Sequence, residues 1–218
     1  MDRPVDRQAG TGNPDRRAQY LAAAQQLFAT HGYVGTSMDM LIAEVGGSKA
    51  TLYKHFPSKE SLVAGLMDAV ATAVSRNVMD DLDGNEPLRD ALEAIGEATL
   101  RGVVSPTGVA VLRICLAEAA RFPDLARTVW GHGPAVTYAN FRRFLADRVE
   151  RGELDVDDFQ LAAEQFLAGI VGHIQLKVAM GVAEPPDDDE VRIRVASAID
   201  TFLARYEQSP TRSSSARQ

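Results

Sequence analysis

Nearly every segment of the chain spaces its apolar residues three and four apart, and no stretch alternates apolar with polar positions for more than a few residues. The pattern predicts an all-α protein. A first helix is expected from Pro14 to Thr30, because Tyr20, Leu21, Ala24, Leu27 and Phe28 share one face while Arg16, Arg17, Gln25 and Gln26 lie off it. His31-Gly32 should end it, since glycine most easily takes the left-handed cap position. Thr36-Ser37-Met38-Asp39 supplies an N-cap hydroxyl followed by an acid and opens a short second helix to Val45. Gly46-Gly47 interrupts the chain, and Ser48 caps a third short helix through His55. Pro57-Ser58 starts a longer fourth helix with Leu62, Leu66, Ala69, Val70 and Val74 on its apolar stripe.

Further helices are expected over 87–104 and 106–120, each with proline near its first turn, where a missing N–H costs nothing. A short segment from Phe122-Pro123 to Trp130 follows, and Gly131 to Pro134 turns the chain into a helix that ends at Arg151-Gly152. Two final helices, over 156–180 and 186–206, flank an acidic turn from Glu184 to Glu190. From Phe159 to Ile174 apolar or small residues occur almost all round the helix, which predicts burial on more than one side. One side is assigned to the core and the other to a second copy of the chain. The expected interface comprises Phe166, Ile170, His173 and Ile174, joined by Val195, Ile199 and Phe202 of the last helix, in a four-helix arrangement that Gly169 and Gly172 would let close up. The domains expected are a head over 14–60 and a body over 61–207, between a disordered arm (1–13) and a disordered tail (208–218).

Composition narrows the class. With 45% hydrophobic and 24% charged residues the chain is neither a disordered nor a membrane composition. The apolar runs at 162–171 and 178–182 fall short of the roughly 20 residues a bilayer requires. The first 13 residues lack the apolar core of a secretory signal, so a cytoplasmic location is expected. Net charge is −7, but it divides unevenly: residues 1–59 carry seven Lys or Arg against five Asp or Glu, and the remainder carries sixteen against twenty-five. A mildly basic head on an acidic body fits nucleic-acid contact through one end only. The single cysteine, Cys115, sits in an apolar run and is expected to be a small buried hydrophobe.

The most informative stretch is 32–59. Two helices of fewer than ten residues have little stability of their own and must pack against the first helix and each other, which is how a helix-turn-helix is built. Ile42, Leu52 and Phe56 are expected to face the small core, with Ala43 and Gly46 at the bend. The third helix then turns Lys49, Ala50, Thr51, Tyr53, Lys54 and His55 outward, a set able to reach phosphates, guanine edges and thymine methyls. Lys59, one residue past the Ser58 cap, would meet a phosphate at a helix N-terminus.

The run Gly32-Tyr33-Val34-Gly35-Thr36-Ser37-Met38, with Ile42-Ala43, Gly46 and the segment Thr51 to Leu62, resembles the signature of the tetracycline-repressor (TetR) family. That resemblance implies a homodimeric transcription regulator whose heads sit in successive major grooves of a palindromic operator and whose body binds a small molecule that spreads them apart. It further implies backbone-contacting roles for Thr36, Ser37 and Lys59 and a recognition surface at Lys49, Ala50, Thr51, Tyr53 and His55. Gly47 departs from the family, which usually has a small aliphatic residue there. Glu118 to Ala126, Arg151 to Leu154 and Leu161 to Leu167 resemble the C-terminal domain of AefR-like members.

Met67, Val70, Leu112, Leu116, Trp130, Tyr138, Phe141 and Phe144 would together line a cavity for a small apolar or aromatic effector, against the alternative of a plain core. His132 and His173 lack the partners of a metal site and read as hydrogen-bonded side chains, and no metal or cofactor is expected. No phosphate loop, nucleophile elbow or paired catalytic acids appear, so an enzyme is not indicated. The remaining rival is a helical dimeric interaction protein that does not bind DNA.

Overall fold

A computed structural model describes residues 14–76 and 86–208. The arm at 1–13 and most of the tail lie outside the described residues. Every regular element described is a helix, and two compact units divide between Leu62 and Val63. No single helix among the described residues is long and apolar enough to cross a membrane.

The first unit holds α1 (Pro14–Gly35), α2 (Met38–Val45), α3 (Lys49–His55) and the opening residues of α4 (Lys59–Arg76). The α1 path breaks at Gly32, whose φ of 69° is the left-handed conformation that glycine takes without strain. The Ser37 and Ser48 side chains accept hydrogen bonds from Met40 N and Thr51 N, and so cap α2 and α3. Ser58 and Ser61 exchange side-chain to backbone hydrogen bonds at the head of α4. The core of this unit is Tyr20, Phe28, Tyr33, Leu41, Leu52 and Phe56. Leu41 takes the place anticipated for Ile42, which is only partly buried, and Ala43 is exposed.

The second unit continues α4 and adds α5 (Leu88–Val104), α6 (Pro106–Glu118), α7 (Pro123–His132), α8 (Pro134–Glu150), α9 (Phe159–Val171), α10 (Ile174–Ala179) and α11 (Asp188–Tyr206). Along α4, Leu66 and Val70 are buried, Ala69 is exposed, and the side chain of Val74 lies outside the described residues. The long helix anticipated over 156–180 is two helices, because Gly172 adopts φ 48° and ends α9, after which the chain restarts at Ile174. Arg113 donates from its guanidinium to the carbonyls of Ala179 and Val178, satisfying the C-terminus of α10. Before α9 the chain is extended: Asp155 N donates to Tyr206 O and Gln208 N to Glu153 O, which fastens the end of α11.

Phe141 lies at the centre of the core, stacked on Phe166 at 4.7 Å, with Phe202 edge-on to Phe166. This overturns the interface expected on α9 to α11. Phe166, Ile170, Ile174, Val195, Ile199 and Phe202 are buried inside their own subunit, and only His173 of that set is exposed. A Cβ on Gly169 would sit 3.5 Å from Ala198 Cβ, so the helix that approaches there is α11 of the same chain.

At the α5–α6 corner, a Cβ on Gly108 would lie 2.5 Å from Gly102 O and 2.8 Å from Val103 O. Backbone cannot yield as a flexible side chain does. Gly108→Ala is expected to destabilise the body by about 1–3 kcal/mol, read as a lower denaturant midpoint with an unchanged m-value.

Candidate functional site

The exposed face of α3 is available because α1 holds the preceding turn from behind. Arg16 donates to Val45 O at 3.3 Å, and the Tyr20 hydroxyl reaches Gly46 O at 3.5 Å. Both turn glycines have positive φ, 75° at Gly46 and 100° at Gly47. The second value accounts for the departure at Gly47: the turn takes a conformation that a side chain rarely adopts, and Arg16 and Tyr20 pack over it. Tyr20 also meets Phe56 edge-on and lies 6.2 Å from the ring of His55.

With Leu52 buried, Lys49, Ala50, Tyr53 and Lys54 are exposed, while Thr51 and His55 are half-buried. The Thr51 hydroxyl lies 2.9 Å from Ser48 Oγ, so it is tied into the cap. Lys49 pairs with Asp39 at 2.8 Å across the two short helices, and this contact holds its ammonium above the ordinary lysine range. Ser37 is exposed at the start of α2. Asp39 was not anticipated as part of this surface, because an acid in the first turn of a helix has a sufficient local reason to be there.

Two residues assigned to phosphate contact have work inside the fold. Thr36 is buried and donates to Gly32 O at 2.8 Å, closing the break in α1. Lys59 donates to Tyr33 O at 2.6 Å and Thr36 O at 2.9 Å, with its ammonium 4.3 Å from the centre of the Tyr33 ring. The Tyr33 hydroxyl donates to Glu60 at 2.7 Å. The start of α4 is thereby bound to the end of α1.

The second unit contains a cavity of about 530 Å³. Of the residues assigned to it, Met67, Val70, Leu112, Trp130 and Tyr138 line it. Phe141 and Phe144 do not, being stacked on each other at 5.7 Å in and against the core, and Leu116 is largely exposed. Thr99, Thr137 and Gln175 also border the space, as does Cys115, whose thiol is pushed up by burial. These residues carry no sequence signal, since a lone polar residue on an apolar helix face looks the same whether it meets a cavity or solvent. His132 contacts Asp68 through Nδ1 at 2.7 Å, and His173 is exposed beside Gly172.

Residues 21–66 match the N-terminal model of bacterial regulatory proteins of the tetR family, and residues 90–208 match the C-terminal domain of AefR-like transcriptional repressors. The chain belongs to the TetR family. It is a DNA-binding transcriptional regulator in a family of regulators rather than enzymes. Among solved TetR-like structures it is similar to the flavonoid-responsive regulator FrrA, at 31% identity and a TM-score of 0.70, covering 89% of this chain and 98% of that one. A TetR-family regulator from Mesorhizobium loti shares the fold at a TM-score of 0.76 and 22% identity, covering 91% and 99%. The nucleoid occlusion factor SlmA of Photobacterium profundum is 26% identical over 202 residues, 92% of this chain and 88% of that protein.

The Tyr33 hydrogen bond is the leading cause that lowers the Glu60 pKa. A depressed carboxyl stabilises the head above its unfolded value and loses that contribution as pH falls through the folded value. Tyr33→Phe is expected to move the Glu60 titration, followed by carboxyl NMR, to higher pH. An unmoved titration would show that the hydroxyl does not hold the carboxylate.

Proposed function

We propose that this TetR-family regulator is a cytoplasmic homodimeric repressor that occupies a palindromic operator through α3 and leaves it when a small apolar or aromatic molecule fills the body cavity. Catalysis plays no part in this reading. The observation that carries it is the α3 surface. A helix of seven residues, too short to persist alone, is capped by Ser48 and braced through its turn so that Lys49, Ala50, Tyr53 and Lys54 project together. Such a surface has the dimensions and chemistry of a major-groove reader: ammonium groups for phosphate or guanine, a small residue for close approach, and an aromatic hydroxyl.

Dimerisation is assigned to other faces of α9 and α11 than those first expected, since their large apolar side chains are spent on the core. Leu161 on α9 and Ile193 on α11 remain exposed, at 47% and 69%. The effector reading is supported by the cavity and by the flavonoid response that names FrrA.

The test is an operator gel shift with full-length protein over a range of salt, with unrelated DNA as competitor. Tyr53→Ala and Lys49→Ala are expected to weaken operator binding by about 1–3 kcal/mol where a base contact is lost, and loss of a Lys49 phosphate contact should reduce the salt slope by about 1. Asp39→Asn, which frees Lys49 and removes a negative charge from the surface, should tighten binding to unrelated DNA. Operator affinity unchanged in both alanine variants would contradict the role given to α3.

A further inference from the structure

The polar side chains described around the body cavity are all uncharged. Thr99 donates its hydroxyl hydrogen to Ile95 O at 2.7 Å, and Thr137 directs its own to Gly133 O at 3.4 Å. Gln175 donates from Nε2 to Val103 O at 3.1 Å, and a carbonyl partner can only be met by the amide's NH2 end. Each of these side chains has a donor committed to backbone. What they retain toward the cavity is mostly acceptor capacity, hydroxyl lone pairs on Thr99 and Thr137 and Oε1 of Gln175, beside the second Nε2 hydrogen of Gln175 and the hydroxyl of Tyr138 as donors. Among the described residues, no Asp, Glu, Lys, Arg or His side chain lines the space. At one wall Trp130 stacks on Tyr138, centroids 6.1 Å apart, presenting a flat aromatic surface. Trp130 is 58% exposed.

We infer that this cavity selects an uncharged, hydroxylated aromatic molecule, one that supplies hydrogen-bond donors to Gln175, Thr99 and Thr137. This rests on the reading of the cavity as the effector site and specifies which effector chemistry it takes. A carboxylate would meet no cation among the described lining residues and few donors to replace its hydration, so desolvation opposes it. Burial, and after it the Glu164 charge, pushes the Tyr138 phenol above its ordinary pKa. A pure hydrocarbon or a methyl ether fits the apolar walls but leaves the acceptors unpaired once water has been displaced. A hydroxylated ring satisfies both requirements.

The experiment is titration calorimetry of the full-length protein with three probes of one skeleton: a trihydroxystilbene, its trimethyl ether, and stilbene monocarboxylate. Site occupancy is read in parallel from protection of Cys115, the sole cysteine and a cavity residue, against a thiol-alkylating reagent. The trihydroxystilbene is expected to bind about tenfold or more tightly than the ether, the equivalent of one hydrogen bond, to bind more tightly than the carboxylate, and to protect Cys115. In Gln175→Leu and, independently, in the near-isosteric Thr99→Val, the gap between phenol and ether should narrow by about threefold or more. Equal or tighter binding of the ether, tightest binding of the carboxylate, no binding of the phenol, or binding that leaves Cys115 unprotected would each overturn the inference. Release of operator DNA is measured separately: phenol-selective binding without release upholds the ligand class and overturns the effector reading instead.

Discussion

Two helices of eight and seven residues cannot hold their shape without external support, and the hydrogen bonds from Arg16 and Tyr20 to the carbonyls of the intervening turn are what fix α3 against α2. Those carbonyls belong to Val45 and Gly46, at the C-terminal end of α2 where helix acceptors are unsatisfied. The same contacts that meet the acceptors leave the opposite side of α3 without packing duties. At the other end of the unit, Lys59, Tyr33 and Glu60 bind the start of α4 to the end of α1. The charged and aromatic residues of the head therefore divide into two sets. One set maintains the frame and the other projects from it.

The body separates its functions in a comparable way. Its large aromatics, Phe141, Phe166 and Phe202, are consumed in a single stacked core, while smaller residues and the Trp130–Tyr138 pair border the cavity. Glycine sets the local geometry at two places. Gly172 ends α9, and Gly108 lets the backbone of α6 approach the end of α5 within a distance that any side chain would forbid. A core built this densely leaves the cavity as a defined space, with Gln175 and Thr99 anchored to backbone at its border.

The helical class, the caps at Ser37 and Ser48, and the exposure of Lys49, Ala50, Tyr53 and Lys54 on α3 were legible from residue order, because caps, glycine stops and 3.6-residue periodicity are local properties. What periodicity conceals is the identity of the partner. The stripe Phe166, Ile170 and Ile174 announces burial equally well for a subunit core and for an interface, and it belongs to the core. Lys59 shows a related limit for charge: its position suggests a phosphate contact but does not disclose the partners 23 and 26 residues away that give it a place in the frame. The break at Gly172 escaped notice because glycine within an apolar run is also compatible with an uninterrupted helix that packs closely. Phe141 and Phe144 differ from Trp130 and Tyr138 in which element they face, and chain order does not specify that.

The central claim is that the exposed side of α3 meets base edges in the major groove. Dimethyl sulfate protection of guanine N7, an atom that lies only in that groove, tests it on fragments that the protein itself retains from its own genome. The account predicts two protected patches related by a twofold axis and separated by one helical turn, about 34 Å, or a multiple of it. Bound fragments with every guanine N7 as reactive as in free DNA would contradict it.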